Sequence, residues 1–367
     1  MTMDVLTVVG ARPQFVKAAI VSSALQRGGL VESLVHTGQH YDDNMSDVFF
    51  RELGLPGASE NLDLGGLSHG AMTGRMIEAI ESIVQQKRPA VVLVYGDTNS
   101  TAAAAIAAVK LHVPVAHVEA GMRSFNRRMP EEINRVITDH VATYHFVTSE
   151  APKRHLSAEG IVDGVHVVGD VMRDACVRFL PTARERNTLS EHAFMDGAFA
   201  LVTLHRPENT DDPSRLAALI EGLSLVSTEI PLVIPLHPRT KRRLSASHLA
   251  LPESVHVIEP VGYLDMLALV DRCALVITDS GGLQKEAFYL GRPCVTARDE
   301  TEWTETVELG WNRLVGADPV AMRSASVGFL SAAPSQSREG VYGDGHAADR
   351  IAEILVDAIR AGARASD

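Results

Sequence analysis

Two acidic residues in the first half of the chain follow short apolar runs of strand character. Asp97 comes after the run 90–95 and one glycine, and Glu119 comes directly after the run 115–118. The carboxyl ends of parallel strands meet at one edge of a sheet, where α/β proteins collect their reactive groups. Two carboxylates at such an edge can give and take protons at a small bound molecule.

Each carboxylate also has an ordinary structural role open to it. Aspartate is a good helix N-cap, so Asp97 could simply cap the next helix. The polar residues just after Asp97 can also cap that helix, in which case the Asp97 side chain is available for catalysis. Burying the Glu119 carboxylate at a strand end costs free energy unless it forms an ion pair or takes part in catalysis. An ion pair with Arg123 or His117 is the structural alternative to a catalytic role.

A further acidic pair, Glu131 and Glu132, follows Pro130. Proline favours the first turn of a helix, and acidic residues there are stabilised by the helix dipole. On these residues alone, the segment predicts an ordinary helix start.

In the second half, His205 ends another apolar run and is followed by Arg206, Glu208 and Asn209. Histidine is the side chain that titrates near neutral pH, and its polar neighbours on a loop favour a functional role over a structural one. His237, between two prolines, is a weaker candidate.

Two strand-to-helix turns suit an anionic ligand. The segment 10–14 carries Arg12, and Lys17 lies on the first turn of the helix that follows, although a solvated pair of cations explains this turn equally well. The stronger turn contains Ser280, Gly281 and Gly282, where backbone N–H groups can approach a phosphate closely. Further along that helix, Glu286 can accept both hydroxyls of a ribose, so the turn indicates a nucleotide-type ligand.

Composition narrows the class of protein. The 367 residues carry a net charge of −12, which argues against a nucleic-acid partner. Cys176, Cys273 and Cys294 have no paired spacing, so neither disulfides nor a zinc cluster is expected and a reducing cytoplasm is predicted. No apolar run approaches the roughly 20 residues of a membrane span. No cluster has metal-ligand spacing and no Gly-x-Gly-x-x-Gly fingerprint follows the first strand, so neither a metal nor another cofactor is expected.

Alternating strands and helices predict two doubly wound, Rossmann-like α/β domains, residues 1–180 and 181–350. Strands are predicted at 4–9, 34–36, 90–95, 115–118, 145–147, 166–168, 198–204, 232–235, 255–258, 275–278 and 294–296, and helices include 15–26, 70–85 and 100–110. Residues 180–197 lose apolar periodicity and are predicted as a connecting segment. The last helix is predicted from residue 347.

Together these segments resemble the UDP-N-acetylglucosamine 2-epimerase family. The resemblance rests on Gly10-Ala-Arg-Pro-Gln14, Thr37-Gly-Gln-His40, Gly96-Asp-Thr98, His117-Val-Glu-Ala-Gly121, Pro130-Glu-Glu-Ile-Asn-Arg135, His205-Arg-Pro-Glu-Asn209 and Ser280-Gly-Gly282. It implies a glycosyltransferase-B-like pair of domains with a cleft between them, a C-terminal helix, 351–367, that returns to the first domain, and a homodimer.

The resemblance also implies roles for individual residues, none of which needs a cofactor or metal. The implied catalytic residues are Asp97, Glu119, Glu131 and His205. The implied residues for UDP and substrate are Arg12, Lys17, Arg135, His237, Ser280, Gly281, Gly282 and Glu286. The family's route eliminates UDP from C1 of the sugar, passes through 2-acetamidoglucal and returns the proton to the opposite face of C2.

Three positions depart from the regulated bacterial pattern. Trp303 stands where an arginine is expected, Asp42 replaces a second glutamine, and His237 is followed by Pro-Arg. These departures argue against activation by UDP-N-acetylglucosamine. Several segments also resemble a branch of the family that acts on UDP-2,3-diacetamido-2,3-dideoxyglucuronate. The C6 carboxylate of that sugar would need a cationic partner, which could be Arg123, Arg127, Arg128 or Arg239.

Other classes share this fold, so the fold alone does not decide the activity. A hydrolysing relative would release free N-acetylmannosamine and UDP, and a glycosyltransferase would need an acceptor groove in the first domain. A purely regulatory sugar-nucleotide binder would not need the acids. The sequence favours the epimerase because three acids lie near strand ends of the first domain.

Overall fold

The computed structural model of the chain describes residues 3–39, 52–55, 57–186 and 199–365, without the side chains of residues 12 and 363–365. It separates into two compact units, residues 1–175 with 339–367, and residues 176–338. Residues 339–350, assigned to the second domain from the sequence, group with the first unit. Each unit holds a parallel sheet with helices between its strands, so the predicted fold class is confirmed.

The first unit is built on a seven-stranded sheet whose pairings are parallel, in the order β3-β2-β1-β4-β5-β6-β7. Its strands are β1 (Val5–Val9), β2 (Glu32–His36), β3 (Glu60–Asn61), β4 (Val91–Tyr95), β5 (Val115–Val118), β6 (Tyr144–Val147) and β7 (Val165–Val167). The helices are α1 (Arg12–Arg27), α2 (His69–Lys87), α3 (Asn99–Lys110), α4 (Pro130–Val141), α5 (Glu150–Ala158) and α6 (Val171–Glu185), the last continuing into the second unit.

The second unit holds a six-stranded parallel sheet in the order β10-β9-β8-β11-β12-β13. Its strands are β8 (Ala200–Thr203), β9 (Leu232–Pro235), β10 (Val255–Ile258), β11 (Leu275–Thr278), β12 (Cys294–Thr296) and β13 (Asn312–Leu314). The helices are α7 (Pro207–Thr210), α8 (Pro213–Val226), α9 (Pro238–Ala246), α10 (Tyr263–Arg272), α11 (Gly281–Tyr289), α12 (Thr304–Glu308) and α13 (Pro319–Ser331); α14 (Ala347–Ala365) belongs to the first unit and packs on α1.

Strand order places the functional loops. In the first sheet the chain winds outward in both directions from β1 and β4, so the loops after these two strands lie at the point where the order reverses. In the second sheet the corresponding strands are β8 and β11. Ligands of doubly wound sheets bind at the carboxyl ends of the strands at this position. The turns that carry Asp97, His205 and Ser280 all follow one of these four strands.

The inner strands of each sheet are buried apolar runs because helices cover both faces, whereas the edge strands β3, β7, β10 and β13 are partly exposed. In the first unit, α2 packs on α3, and six alanines of α3 (Ala102–Ala105, Ala107 and Ala108) are at most 2% exposed. Such small side chains let the two helices approach closely. No described helix is long and apolar enough to cross a membrane.

The prediction that residues 180–197 form a connecting segment was wrong at its start, because α6 runs to Glu185 with Pro181 inside it. Cys176, Phe179 and Ala183 keep helical spacing and are buried, so one face of the helix stays packed through the proline. Residues 187–198 lie outside the described part of the chain.

Asp174 on α6 joins the start of α14 to the rest of the first unit. Its carboxylate accepts a hydrogen bond of 2.7 Å from the backbone N–H of Ala348. Burial raises the pKa of Asp174 to about 6, and the bonds from Ala347 and Ala348 only partly oppose this. The native state therefore holds the proton more tightly than the unfolded chain, and this group's contribution to stability is lost as pH rises from 3.8 to about 6.

We expect Asp174→Asn to remove this pH dependence, since asparagine keeps an oxygen acceptor but cannot ionise. Relative to the parent, the variant should gain about 1–3 kcal/mol in free energy of unfolding between pH of about 4 and about 7. Urea unfolding of both proteins across that range measures the difference. A difference that does not change with pH would contradict the assignment.

Candidate functional site

The turn after β4 is held in one conformation. Gly96 has a φ of +61°, which favours glycine, and its N–H donates to the carbonyl oxygen of Val118 on β5 at 3.0 Å. A Cβ built on Gly96 would lie 3.5 Å from Oε2 of Glu119 and 3.8 Å from Nζ of Lys17. The glycine therefore brings the Asp97 turn close to the other predicted acid of this sheet edge.

Asp97 has an ion-pair partner that the sequence analysis did not anticipate. Arg135 on α4 donates to Oδ2 of Asp97 from Nε at 3.0 Å and from Nη2 at 2.5 Å. Asn134 donates to the backbone carbonyl of Asp97 at 2.9 Å. The Asp97 side chain remains 31% exposed, so α4 orients the carboxylate without covering it. Arg135, predicted to bind substrate, therefore also positions Asp97.

Glu119 occupies a strained backbone position at the end of β5. Its φ is +70°, in the left-handed region, which costs a residue with a side chain about 1–3 kcal/mol. Its carboxylate contacts the ammonium of Lys17, and both side chains are at most 10% exposed. Lys17, predicted near UDP, is thus the partner of Glu119. The alternative partners His117 and Arg123 bind Asp139 instead, at 2.7 Å each.

The structure separates the two acids at the start of α4. Glu131 is exposed on the first helical turn. Glu132 is buried, accepts 2.9 Å hydrogen bonds from the backbone N–H groups of Ser124 and Phe125, and forms a 2.9 Å ion pair with Arg135. Glu132 therefore joins the network around Asp97. A catalytic role for Glu131 stays a prediction.

In the second unit, His205 is oriented by a buried carboxylate. Asp279, fully buried at the end of β11, lies 3.2 Å from Nδ1 of His205. It also accepts from the backbone N–H groups of His205 and Arg206 at 3.0 Å and from Asn209 at 3.1 Å. Burial alone would raise the pKa of Asp279, but the His205 ring and these donors bring it below its ordinary value.

The His205 side chain is 46% exposed, so its other ring nitrogen can reach a ligand. Asp279 was given no role from the sequence. Its position directly after a buried apolar strand was the same signal that identified Asp97.

The phosphate-type turn follows β11 as predicted. Ser280 caps α11, its Oγ accepting from Leu283 N at 3.5 Å, and Gly281 and Gly282 form the half-exposed first turn of the helix. Their N–H groups are therefore available to an anion at the positive end of the helix dipole. Glu286 is buried one turn further on.

Trp303, where the resemblance leads one to expect an arginine, lies against this turn. Its Nε1 is 3.4 Å from a Cβ built on Gly281. The ammonium of Lys285 lies 3.9 Å from the centre of the Trp303 ring, in a cation–π contact between two buried side chains. A cation is thus present beside Trp303, supplied by α11.

The remaining predicted binding residues are placed as follows. Arg12 begins α1, and its side chain lies outside the described part. His237 precedes α9, where its Nδ1 accepts from the backbone N–H of Arg239 at 3.2 Å. A helix-capping role therefore accounts for one ring nitrogen of His237. Asp42 lies outside the described residues. Among the described residues, no group of three or more His, Cys, Asp or Glu side chains is placed to hold a metal ion.

Comparison with known proteins identifies relatives over nearly the whole chain. A family model described as UDP-N-acetylglucosamine 2-epimerase matches residues 23–356. The UDP-2,3-diacetamido-2,3-dideoxy-D-glucuronate 2-epimerase of Pseudomonas aeruginosa is 49% identical over 359 residues, 96% of this chain and 99% of the relative. The UDP-N-acetylglucosamine 2-epimerase of Methanocaldococcus jannaschii is 40% identical over 363 residues, with the same coverage.

Solved structures agree with this assignment. The crystal structure of the M. jannaschii enzyme in complex with UDP-GlcNAc and UDP has a TM-score of 0.90 at 40% identity, covering 97% of this chain and 100% of that one. The Neisseria meningitidis enzyme bound to UDP-GlcNAc has a TM-score of 0.86 at 30% identity, with the same coverage. The chain therefore belongs to the UDP-N-acetylglucosamine 2-epimerase family, a family of isomerases.

Proposed function

We propose that the chain is a non-hydrolysing UDP-sugar 2-epimerase that interconverts UDP-N-acetylglucosamine and UDP-N-acetylmannosamine. The observation that carries the proposal is the pair of carboxylates at the ends of the neighbouring strands β4 and β5. Asp97 and Glu119 each contact a different cation, Arg135 and Lys17. Two separately held carboxylates suit a reaction that removes a proton from one face of a carbon and returns it to the other.

The reaction needs no external oxidant. One carboxylate takes the proton from C2 while the C1–O bond breaks and UDP leaves with the bonding electrons, which forms a C1=C2 double bond. UDP then adds back to C1 as a second acid delivers a proton to the opposite face of C2. Asp97, Glu119 and Glu131 are the proposed proton-transfer residues.

UDP binding is assigned mainly to the second unit. The N–H groups of Gly281 and Gly282 and the Ser280 side chain bind the diphosphate, and Glu286 binds the ribose. His205, aimed by Asp279, stabilises the negative charge that develops on the departing diphosphate. Arg12, Lys17, Arg135 and His237 complete the proposed binding set.

A second candidate substrate is UDP-2,3-diacetamido-2,3-dideoxyglucuronate, favoured by the 49% identical P. aeruginosa relative. Its C6 carboxylate requires a cation. Arg123 is buried in ion pairs and Arg239 is paired with Asp211. Arg127 and Arg128 are exposed on the loop before α4, which favours these two over the two paired arginines.

Incubation with each UDP-sugar, followed by proton NMR of the products, tests the proposal. We expect the 2-epimer of one sugar nucleotide to accumulate, and loss of this product with the Asp97→Asn protein excludes a contaminating enzyme. Free sugar and UDP as the only products would establish a hydrolase. No product from either nucleotide would overturn the proposal.

Two further assignments belong to the proposal. The enzyme is assigned to the cytoplasm, in keeping with three buried cysteines in this chain. It is also proposed to form a homodimer, on the resemblance to the family. Sedimentation equilibrium of the purified protein tests the second assignment, and a mass near 39.5 kDa at all concentrations would contradict it.

A further inference from the structure

A buried network of charged side chains lies next to the turn that carries Asp97. It consists of His117 on β5, Asp139 on α4, Arg123 after β5, and Glu159. The first three are at most 3% exposed. Arg123 donates to Oδ2 of Asp139 at 2.7 Å and binds Glu159 through Nε and Nη2 at 2.7 and 2.9 Å. None of these residues was assigned a role in the reaction above.

Both ring nitrogens of His117 face hydrogen-bond acceptors. Nδ1 lies 2.7 Å from Oδ1 of Asp139, and Nε2 lies 2.7 Å from the carbonyl oxygen of Gly96. A carbonyl oxygen has no hydrogen to donate, and neither has an ionised carboxylate. Both contacts are therefore satisfied together only if both nitrogens of His117 carry hydrogens.

Asp139 is in its ionised form because three donors converge on its carboxylate. Besides His117, its carboxylate accepts from Arg123 and from the backbone N–H of Gly121 at 3.1 Å. Burial alone would raise the pKa of Asp139, but the charges of His117 and Arg123 and their hydrogen bonds bring it below its ordinary value. The geometry and the electrostatics of the pair thus agree.

We propose that His117 is a positioning residue whose ring carries a hydrogen on both nitrogens. As an imidazolium it donates to the Gly96 carbonyl, fixes the turn that carries Asp97, and places a positive charge behind the Asp97 and Glu119 carboxylates. The catalytic consequence rests on the proposed epimerase function, whereas the protonation state does not.

The neighbouring His145 provides a matched comparison. It pairs with His117 across β5 and β6 and is equally buried, but its Nε2 donates to the backbone carbonyl of Asp139 at 2.7 Å. Burial lowers the pKa of His145, and the hydrogen bond to the Asp139 backbone and the charge of Asp139 only partly oppose this. Other charged groups around the Asp97 turn are the Lys17–Glu119 pair, Arg135 and the Glu132 carboxylate that pairs with Arg135. The two adjacent histidines should therefore differ in charge.

Long-range proton–nitrogen NMR of the ¹⁵N-histidine-labelled protein tests the protonation state directly. The signal that disappears in His117→Gln should show the doubly protonated pattern at pH of about 7. The signal lost in His145→Gln should show a neutral ring. A neutral His117 at pH of about 7 would overturn the proposal, whether or not the protein epimerises any sugar.

Kinetics of the same variants test the positioning role. In His117→Gln, kcat should fall about 10- to 100-fold, while KM and the affinity for UDP stay within about threefold. Removal of the buried cation should also move the acidic limb of the pH profile of kcat/KM to higher pH, because nearby carboxylates lose a stabilising charge. His145→Gln should leave kcat within about threefold and the profile unmoved. A parental profile in His117→Gln, or equal losses in both variants, would refute the positioning role.

Discussion

Asp97→Asn should lower kcat about 100- to 10,000-fold while UDP binds with parental affinity. Asparagine has nearly the same shape as aspartate, so the contact with Arg135 can persist, but the amide cannot accept the sugar proton. The residues assigned to bind the diphosphate lie in the other unit of the chain, which is why binding and turnover should separate.

Steady-state kinetics and UDP titration calorimetry measure the two effects. Asp163→Asn provides the control, because it makes the same chemical change at an exposed position of the same unit. Full turnover by Asp97→Asn would remove this residue from the mechanism. Loss of UDP affinity together with turnover would instead point to a damaged fold.

His205→Ala should lower kcat about 100- to 1,000-fold. The ring is held by a fully buried carboxylate and still exposes 46% of its side chain, an arrangement suited to a group that must act on a ligand. Asp279→Asn should produce a smaller loss, since His205 remains but its charge and orientation are less well supported.

His256→Ala, at an exposed histidine of the same unit, is the matched control and should keep parental activity. An additional readout is substrate leaving-group dependence. Because His205 is assigned to stabilise the charge on the departing diphosphate, its removal should lower the rate with a poor leaving group more than the rate with a good one. Equal rates for His205→Ala and the parent would exclude this role.

The sequence correctly predicted most residues at the carboxyl ends of the strands, because most of these apolar runs stop at a glycine or a polar residue. Asp97, Glu119 and Asp279 each follow a buried apolar run, and parallel pairing brings such ends to one edge. The strands β3 and β13 were missed. They are only two and three residues long and contain the polar sequences Glu-Asn and Asn-Arg-Leu, which carry no apolar periodicity.

The sequence did not reveal the ion-pair partners that lie far away along the chain. Nothing near Asp97 indicates that Arg135 will reach its carboxylate, because the contact depends on how α4 packs beside α3 and β5. The same is true of Lys285 and Trp303, where the sequence suggested a missing cation and the structure supplies one. The choice between Glu131 and Glu132 likewise depends on which face of α4 is buried.

In the proposed reaction, C2 of the sugar loses its proton and regains one from a protein acid in exchange with water. The most direct measurement is incubation with UDP-N-acetylglucosamine and with the diacetamidoglucuronate nucleotide in D₂O, followed by NMR of the sugar nucleotides. We expect deuterium at C2 of the epimeric product. An epimer that keeps its original hydrogen at C2 would contradict it.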